Sequence, residues 1–179
     1  MDTPSGPDAE LVDVVDDAER VVMTVTRARL RADRLRHRVV FVVVNGTHGR
    51  LLVHRRSDSK DLWPGRWDVA AGGVLGAGEE WAAGAHRELA EELGVDGELE
   101  PLGAGRYADG EVDEVARCYR VVHNGPFRFA DGEVVEARWV GRNELARMQD
   151  EVPFVPDSRA LLPPEVLFPV AAGDDTQAG

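Results

Sequence analysis

The ten residues HRELAEELGV, at positions 86–95, carry three glutamates spaced three and four residues apart. On an α-helix such spacings bring side chains together, so Glu88, Glu91 and Glu92 would share one face. Neighbouring carboxylates repel one another, and the only arginine in the stretch is Arg87. The pattern therefore predicts either a solvated acidic helix face or a helix that binds a cation.

The glutamates belong to a longer helical pattern. Apolar residues recur along one side of residues 80–93, at Trp81, Ala85, Leu89 and Leu93. A glycine, Gly94, follows, and glycine commonly ends a helix. We therefore predict one amphipathic helix from about residue 80 to residue 93.

Apolar runs before this helix predict strands. Residues 11–26 indicate two short strands around the polar turn DDAE, and residues 26–37 indicate a short basic helix. Residues 37–56, HRVVFVVVNGTHGRLLVHRR, predict two strands that pair as a hairpin in the middle of a sheet. Residues 67–78, WDVAAGGVLGAG, predict a strand that runs into a glycine-rich turn.

The rest of the chain alternates between strands and short helices. Strands are predicted within residues 106–126 and 133–140, and helices within residues 141–148 and 156–168, the second interrupted by a Pro-Pro pair. This mixture predicts an α/β protein with a mixed sheet between helices. The polar ends predict a flexible arm at residues 1–9 and a flexible tail at residues 171–179, around a single domain at residues 10–170.

Charge and cysteine content narrow the class of protein. A net charge of −12 argues against a nucleic-acid polymer as partner, because such binding relies on basic surfaces. One cysteine, Cys118, excludes an internal disulfide framework and suits a reducing cytoplasm. The longest apolar runs are too short to span a bilayer, and the beginning of the chain lacks the pattern of a signal peptide. We therefore expect a soluble cytoplasmic protein that does not bind membranes.

The helix and the glycine-rich turn before it form one spaced motif, GGVLGAGEEWAAGAHRELAEELGV. Gly73 is followed after five residues by Glu79, and seven further residues lead to Arg87. The continuation Arg-Glu-Leu-x-Glu-Glu-x-Gly-Val completes a pattern of nine specified positions. This resembles the Nudix box, in which a loop–helix–loop holds divalent cations against the diphosphate of a substrate. The resemblance implies a Nudix fold, an α/β/α sandwich with a mixed sheet.

Carried over position by position, the resemblance implies a metal site. Glu88 and Glu92 resemble the principal ligands, Glu91 joins or supports them, and the backbone carbonyl of Gly72 adds an oxygen. Such hard oxygen ligands suit Mg²⁺, with Mn²⁺ as a substitute. Related hydrolases place a further glutamate well after the box, and here Glu133 is the first choice and Glu136 the second. Both also fit a plain solvent-facing position on a strand.

The catalytic residues implied by the box are Glu91, Arg87 and Glu79. Glu91 is one candidate for the base that takes a proton from the attacking water, although Nudix proteins often place the base elsewhere, so the base stays open. Glu79 and Arg87 are expected to pair and to fix the turn relative to the helix. Outside the box, Arg55, Arg56 and Arg66 are candidates for binding the phosphates of the substrate.

Residues outside the box narrow the resemblance further. WPGRWD at residues 63–68 and the pair His37-Arg38 resemble the branch that contains isopentenyl-diphosphate isomerase and hydrolase-like relatives. That isomerase carries a Cys-Gly-His segment where this chain has VAAGG, so its acid–base cysteine is missing. Cys118 lies on a later predicted strand and is expected to be a small buried residue.

Three functions follow as alternatives. The first is a metal-dependent hydrolase that cleaves the diphosphate bond of a nucleoside diphosphate linked to another moiety. The second is an isomerase of the isopentenyl-diphosphate type, and the third is a module that keeps the fold but only binds or regulates. The intact set of box carboxylates favours the hydrolase. Nudix proteins are often homodimers, so the resemblance also makes a homodimer an option.

Overall fold

The computed structural model describes residues 6–169, which contain one nine-stranded sheet and five α-helices. The strands are β1 (Leu11–Val15), β2 (Val21–Thr26), β3 (His37–Asn45), β4 (Leu51–Arg56), β5 (Trp67–Asp68), β6 (Ala71–Val74), β7 (Glu100–Ala108), β8 (Asp113–Val122) and β9 (Val134–Val140). The helices are α1 (Arg27–Asp33), α2 (Trp81–Glu88), α3 (Arg142–Glu151), α4 (Pro156–Leu161) and α5 (Pro164–Leu167). The mixed sheet with helices agrees with the predicted α/β class.

Strand β3 organises the sheet. Along one edge it pairs over its whole length with β8, in parallel, from His37–Glu114 to Asn45–Val122. Along its other edge it meets β1, β6 and β4 in turn, all antiparallel. Strand β7 extends the sheet beyond β8, and β9 and β5 both pair with β4. The β6 strand, which begins the glycine-rich turn, therefore lies next to the most buried strand of the protein.

The predicted hairpin between β3 and β4 is wrong over most of its length. The two strands share only the register pair Asn45–Leu51 at the turn. Strand β4 then turns away and pairs with β9 from Leu51 to Arg56. The reason is that β3 is an interior strand, whose two edges are occupied by β6 and β8. Its continuous apolar run agrees with such a position, since a strand buried on both faces shows no alternation.

The side chains of β3 supply two cores, one on each face of the sheet. Val39, Phe41 and Val43 pack in a cluster with residues of α1, α3 and the C-terminal helices. Val40, Val42 and Val44 pack in the other cluster, with residues that include Ala85, Leu89 and Leu93. The second cluster fixes the amphipathic helix on the sheet, and this places the glutamates against β6.

The predicted helix at residues 80–93 is present, but it changes type along its length. The α-helical part, α2, ends at Glu88, and residues Leu89–Leu93 form a π-helical turn. Gly94 ends it with a left-handed backbone at φ 66°, as expected of a helix-terminating glycine. A side-chain Cβ at this position would also lie 2.8 Å from the Cβ of Arg128, so glycine is required on two counts.

Several shorter predictions are also confirmed. The strand pair at residues 11–26, the short helix α1 and the proline interruption between α4 and α5 are all present. Residues Pro7–Ala9, within the predicted arm, form one turn of 3₁₀ helix. The first five residues of that arm and the whole predicted tail at residues 171–179 lie outside the described residues.

Candidate functional site

Two of the three box glutamates are buried. Glu88 is 8 % exposed and Glu92 is 2 % exposed, at the junction of α2 and the π-helical turn. Burial raises the pKa of Glu88 to about 7, against the favourable pull of Arg87. Burial and the nearby Glu88 raise the pKa of Glu92 well above its usual value. The charge of these two carboxylates is therefore poorly compensated by the protein itself.

Glu91 does not share this environment, which corrects the prediction of one uniform acidic face. Its side chain is 53 % exposed, and its Oε2 accepts a hydrogen bond from Arg87 at 3.1 Å. The helix packs Ala85, Leu89 and Leu93 on the sheet, and the two buried glutamates lie beside that apolar side. Glu91 thus faces solvent at the entrance of the site.

The glycines of β6 form the other wall of the carboxylate site. The backbone N–H of Gly72 donates a hydrogen bond to Oε2 of Glu92 at 3.2 Å. A Cβ at Gly73 would lie 2.5 Å from Oε1 of Glu88, and a Cβ at Gly72 would lie 2.1 Å from the carbonyl oxygen of Val40. Only glycine lets the β6 backbone approach this closely, so the two carboxylates lie directly against the strand.

Arg87 and Glu79 make the predicted ion pair. The Nε of Arg87 donates to Oε1 of Glu79 at 2.8 Å, and its Nη2 donates to Oε2 at 2.9 Å. The hydrogen bonds from Arg87 lower the pKa of Glu79, and the N–H of Gly76 donates to the same carboxylate at 2.8 Å. Arg87 also donates to the carbonyl of Val74 at 3.2 Å. The pair thereby ties the glycine-rich turn to the helix.

The same guanidinium reaches the carboxylate site. Nη1 of Arg87 donates to Oε1 of Glu88 at 2.7 Å, in addition to its bond with Glu91. Arg87 therefore contacts three of the four glutamates at specified positions of the motif and sets the position of Glu88 relative to the turn. These multiple charge-assisted bonds are stronger and more directional than a single surface ion pair.

A cleft of about 540 Å³ opens over these residues. Gly72, Gly73, Glu88 and Glu91 line one side of it, and Glu133 lines it from the segment before β9. Glu133 also makes an ion pair with Lys60, another residue of the cleft. A cleft of this volume accommodates a small-molecule ligand.

The second choice for the late metal-binding glutamate, Glu136, lies elsewhere. It is on β9, opposite Arg55 in the register with β4, and its Oε2 is 3.7 Å from the Nε of Arg55. It does not line the cleft that contains Glu88 and Glu133. The position of the two residues thus favours Glu133.

The three predicted phosphate-binding arginines are not brought together. Arg56 lines a smaller cavity beside the cleft, where Gly72 and Gly73 also lie. Arg55 forms ion pairs with Asp58 and Glu136 and lines neither cavity. Arg66 lines a separate depression and donates to the carbonyl of Phe154 at 3.3 Å. Of the three, only Arg56 is placed to contact a ligand that enters from the cleft.

Comparison with known proteins identifies the family. The NUDIX domain model matches residues 35–162, which contain the carboxylate site and most of the sheet. The chain belongs to the Nudix hydrolases. It is 39 % identical over 150 residues to an uncharacterized Nudix hydrolase of Yersinia pestis, covering 83 % of this chain and 81 % of that protein. A similar relative in Pseudomonas aeruginosa is 40 % identical over 155 residues, covering 84 % and 90 %.

Solved structures agree with this assignment. The crystal structure of DR0079 from Deinococcus radiodurans has a TM-score of 0.73 and 27 % identity, covering 85 % of this chain and 96 % of that one. The NUDIX domain of Shewanella oneidensis NrtR, solved with ADP ribose, has a TM-score of 0.59 and 21 % identity, covering 78 % and 96 %. The second likeness shows a shared Nudix fold.

Residues 6–169 of this Nudix hydrolase do not hold a complete set of converging metal ligands. Within that range, no three His, Cys, Asp or Glu side chains are arranged to hold an ion. Glu88 faces Arg87, and Glu92 faces the N–H of Gly72. The assignment of individual ligands therefore stays a prediction.

Residues 6–169 contain no helix of the length and apolarity that a membrane crossing requires.

Sequence reasoning missed several buried polar residues beside the box. The smaller cavity is lined by Glu114 of β8, Asp157 of α4 and Asp68 of β5, and by Arg31 of α1. Asp68 accepts a hydrogen bond from Ser158 at 2.6 Å. These residues come from four elements that are distant in sequence, so no spacing pattern connects them. Of these residues, Glu114 alone has an acidic neighbour in the sequence, Asp113.

Cys118 is a small buried residue, as the sequence predicted, and His37 is also buried. Cys118 is 5 % exposed within the apolar cluster, and burial raises the pKa of its thiol to about 11. His37 is buried at the start of β3, and its Nδ1–H donates to the carbonyl of Leu35 at 2.8 Å. Burial lowers the pKa of His37 to about 4, so its imidazole is neutral at physiological pH.

Proposed function

We propose that this Nudix hydrolase uses a divalent metal, Mg²⁺ or its substitute Mn²⁺, to cleave the diphosphate bond of a nucleoside diphosphate linked to another moiety. The observation that carries the proposal is the buried pair Glu88 and Glu92 against the glycine backbone of β6, at the edge of a ligand-sized cleft. Two buried carboxylates of raised pKa are costly to ionise unless a cation compensates them.

The residues present fit a divalent metal. Glu88 and Glu92 offer carboxylate oxygens, and Gly72 offers a backbone carbonyl from the neighbouring strand. Glu133 lies in the same cleft, and Glu91 is exposed beside it. When bound, a divalent ion would neutralise phosphate charge and lower the pKa of a water molecule. The geometry near Gly73 shows that the carboxylate of Glu88 and the strand leave no room for a side chain there.

The other residues of the box position this site. Arg87 donates hydrogen bonds to both Glu88 and Glu79, so the turn and the helix keep one relative orientation. Glu91 is close to solvent and is a candidate to accept the proton of the attacking water. Arg27 and Lys60 also line the cleft and can bind phosphate oxygens. The NUDIX domain solved with ADP ribose supports a substrate of this chemical class.

The isomerase alternative lacks its acid–base group in the cleft. The only cysteine of the chain is Cys118, which is buried in the apolar cluster and lines neither cavity. The segment Ala71-Gly72-Gly73 occupies the place where the resemblance would require cysteine and histidine.

We place the protein in the cytoplasm, since a lone thiol suits a reducing compartment.

The test is product formation from a panel of diphosphates, each with Mg²⁺ and with EDTA. The panel contains sugar nucleotides, dinucleoside polyphosphates, NADH, coenzyme A, nucleoside triphosphates and isopentenyl diphosphate. We expect Mg²⁺-dependent release of a nucleotide and a phosphorylated product from at least one class. Glu92→Gln should abolish this turnover, whereas Glu80→Gln, an exposed carboxylate at the start of α2, should leave it unchanged.

Other outcomes would decide against the proposal. Full activity of Glu92→Gln would show that the metal site is elsewhere. Isomerised product from isopentenyl diphosphate would support the isomerase. If the panel binds but is not turned over in the presence of Mg²⁺ or Mn²⁺, the protein is a binding module.

A further inference from the structure

A smaller cavity adjoins the cleft. It has a volume of about 60 Å³ and shares Arg27, Lys60, Gly72 and Gly73 with the cleft. A ligand whose diphosphate lies over the carboxylate site can therefore extend one end into this cavity. The volume provides room for roughly four water-sized groups. That is too small for a nucleobase and suits a short polar group.

The floor of the cavity contains two buried carboxyl groups from different elements. Glu114 of β8 is 3 % exposed and Asp157 of α4 is 4 % exposed, and their side chains interact. Oε2 of Glu114 is fully buried and makes no hydrogen bond to any atom of residues 6–169. Since an unpaired buried polar atom costs free energy, this oxygen needs either the proton of the neighbouring Asp157 carboxyl group or a donor from a bound ligand.

The carboxyl pair can both donate and accept hydrogen bonds. Burial and the proximity of Glu114 raise the pKa of Asp157 to about 9, and burial raises the pKa of Glu114 to about 7. At least one proton is therefore retained by the pair at neutral pH. The Nε2 of neutral His37 lies 3.6 Å from Oε1 of Glu114 and likewise lacks a partner within residues 6–169. A hydroxyl group, which donates and accepts at once, matches this floor.

The walls of the cavity carry positive charge. Arg31 and Arg56 line it together with Arg27 and Lys60. The Nε atoms of Arg31 and Arg56, and the Nη1 of Arg31, are buried and make no hydrogen bond within the described residues. Arg31 lies 3.7 Å from the carboxylate of Asp61, its single ion pair in that range. Guanidinium groups with free donors bind phosphate oxygens, so the walls suit the phosphate that leads into the cavity.

We propose that this cavity selects the substrate by its non-nucleoside end, and that Glu114 and Asp157 read a hydroxyl group on a small carbon unit attached to the phosphate. Arg31 and Arg56 hold that phosphate, and the nucleoside extends into the open cleft. The inference rests on the proposed function for the orientation of the substrate. It names the substrate class as nucleoside diphosphates whose second moiety is hydroxylated near the diphosphate.

The inference is tested by binding, so that it does not depend on turnover. Wild-type protein is titrated with glycerol 3-phosphate and with n-propyl phosphate, two phosphate monoesters that differ in their hydroxyl groups. Amide chemical shifts report the dissociation constants and the location of binding. We expect glycerol 3-phosphate to bind at least about ten-fold more tightly, because a site built for a hydroxyl leaves buried polar groups unpaired when it is absent. Amide shifts should concentrate at Glu114 and Asp157.

Matched variants separate recognition from folding. Glu114→Met and Asp157→Leu remove the hydrogen-bonding groups at similar volume, and each should reduce the ten-fold preference to about two-fold or less. Glu114→Gln keeps a donor and an acceptor and should retain most of it. Glu111→Gln, which changes an exposed carboxylate three residues away, should retain all of it. Thermal melting shows whether each variant is folded. If Asp157→Leu does not fold, the binding preference of Glu114→Met alone tests the inference.

The outcomes distinguish this inference from the proposed function. Equal binding of the two monoesters by the wild type, or a preference that survives in folded Glu114→Met, overturns the inference and leaves the hydrolase proposal intact. A preference that depends on Glu114, in a protein that hydrolyses no member of the diphosphate panel, supports the selective cavity and counts against the proposed reaction.

Discussion

The guanidinium of Arg87 grips the carboxylate of Glu79 through two hydrogen bonds, from Nε to Oε1 at 2.8 Å and from Nη2 to Oε2 at 2.9 Å. The two residues are eight positions apart in the chain, and the pair bridges the glycine-rich turn and the helix that carries the buried glutamates. Because Arg87 also donates to Glu88 at 2.7 Å, the bridge connects directly with the carboxylate site. The ion pair of the turn therefore helps to set the position of Glu88.

The first prediction concerns this bridge. Arg87→Lys keeps the charge, but an ammonium group cannot form two parallel bonds to Glu79 while it holds Glu88. We expect kcat to fall about 10- to 100-fold, as is common when a residue that supports metal ligands is changed. The activating Mg²⁺ concentration should rise as well. Activity measured against Mg²⁺ concentration, with urea unfolding as a check of the fold, tests both effects.

A control for the bridge is available on the same protein. Arg29→Lys changes an arginine of α1 whose ion pair with Asp33 is exposed, and such pairs contribute little. It should leave kcat unchanged. Unaltered kinetics in Arg87→Lys would show that the two parallel bonds are not needed to position Glu88.

The second prediction concerns the close approach at Gly73. In Gly73→Ala the new Cβ would lie 2.5 Å from Oε1 of Glu88, so that carboxylate must move away from the strand. We expect a loss of about 100-fold or more in kcat, in line with the cost of displacing a catalytic group by about 1 Å. Gly110→Ala is the matched control, since no atom lies within 4 Å of its added Cβ. Equal activity of the two variants would contradict the tight site.

The sequence predicted the elements of this fold better than their pairing. The box pattern located the helix, its apolar residues and its terminating glycine, because periodicity and Gly94 are local signals. The sequence did not reveal that β3 pairs mainly with β6 and β8 and not with β4, since the partner of a strand edge depends on residues far away in the chain. The ion pair Arg87–Glu79 was predictable because both residues lie within the one spaced motif. The contact of Glu114 with Asp157 was not, because the two residues lie far apart in the chain.

The burial of the glutamates was also beyond the sequence. Helical spacing placed Glu88, Glu91 and Glu92 on one face, but it could not show that the first and third lie against β6 while the second faces solvent. The π-helical turn Leu89–Leu93 contributes to this difference, because it widens the helix within the motif itself. Spacing rules assume a regular helix, and this helix is irregular at its functional end.

The third prediction concerns the pH dependence of stability without metal. Burial raises the pKa of Glu88 to about 7, above its ordinary value of 4.5, so the folded state binds this proton more tightly than the unfolded state. The contribution of Glu88 to the free energy of unfolding should therefore fall as pH rises from about 4.5 to about 7. The raised pKa values of Asp157, about 9, and of Glu92 should extend the fall above pH 7. Urea unfolding in EDTA across this range measures the slope.

Variants assign the slope to its source. Glu88→Gln does not titrate and should make the slope shallower, although Glu92 and Glu114, whose pKa values are raised by burial, will still contribute. Glu91→Gln removes an exposed negative charge that adds to the raised pKa of Glu88, so it should change the slope by less than Glu88→Gln does. Adding Mg²⁺ should stabilise the wild type more at about pH 8 than at about pH 5, because the carboxylates must be deprotonated to bind a cation. An unchanged slope in Glu88→Gln would show that the buried carboxylate of Glu88 does not cause the pH dependence.

The fourth prediction separates the two late glutamates. Glu133 lines the cleft with Glu88, while Glu136 pairs with Arg55 outside it, although the two are only three residues apart. If Glu133 contributes to the metal site, Glu133→Gln should raise the Mg²⁺ concentration needed for half-maximal activity by about ten-fold, in keeping with the loss of one carboxylate ligand. Glu136→Gln should change it by less than about two-fold, since its exposed ion pair is weak. Because Glu133 also pairs with Lys60, the variant Lys60→Met serves as a second control for the lost ion pair. A rise in the Mg²⁺ requirement in Glu133→Gln that Lys60→Met does not reproduce would identify Glu133 as a ligand, and equal effects of both variants would reduce its role to holding the lysine.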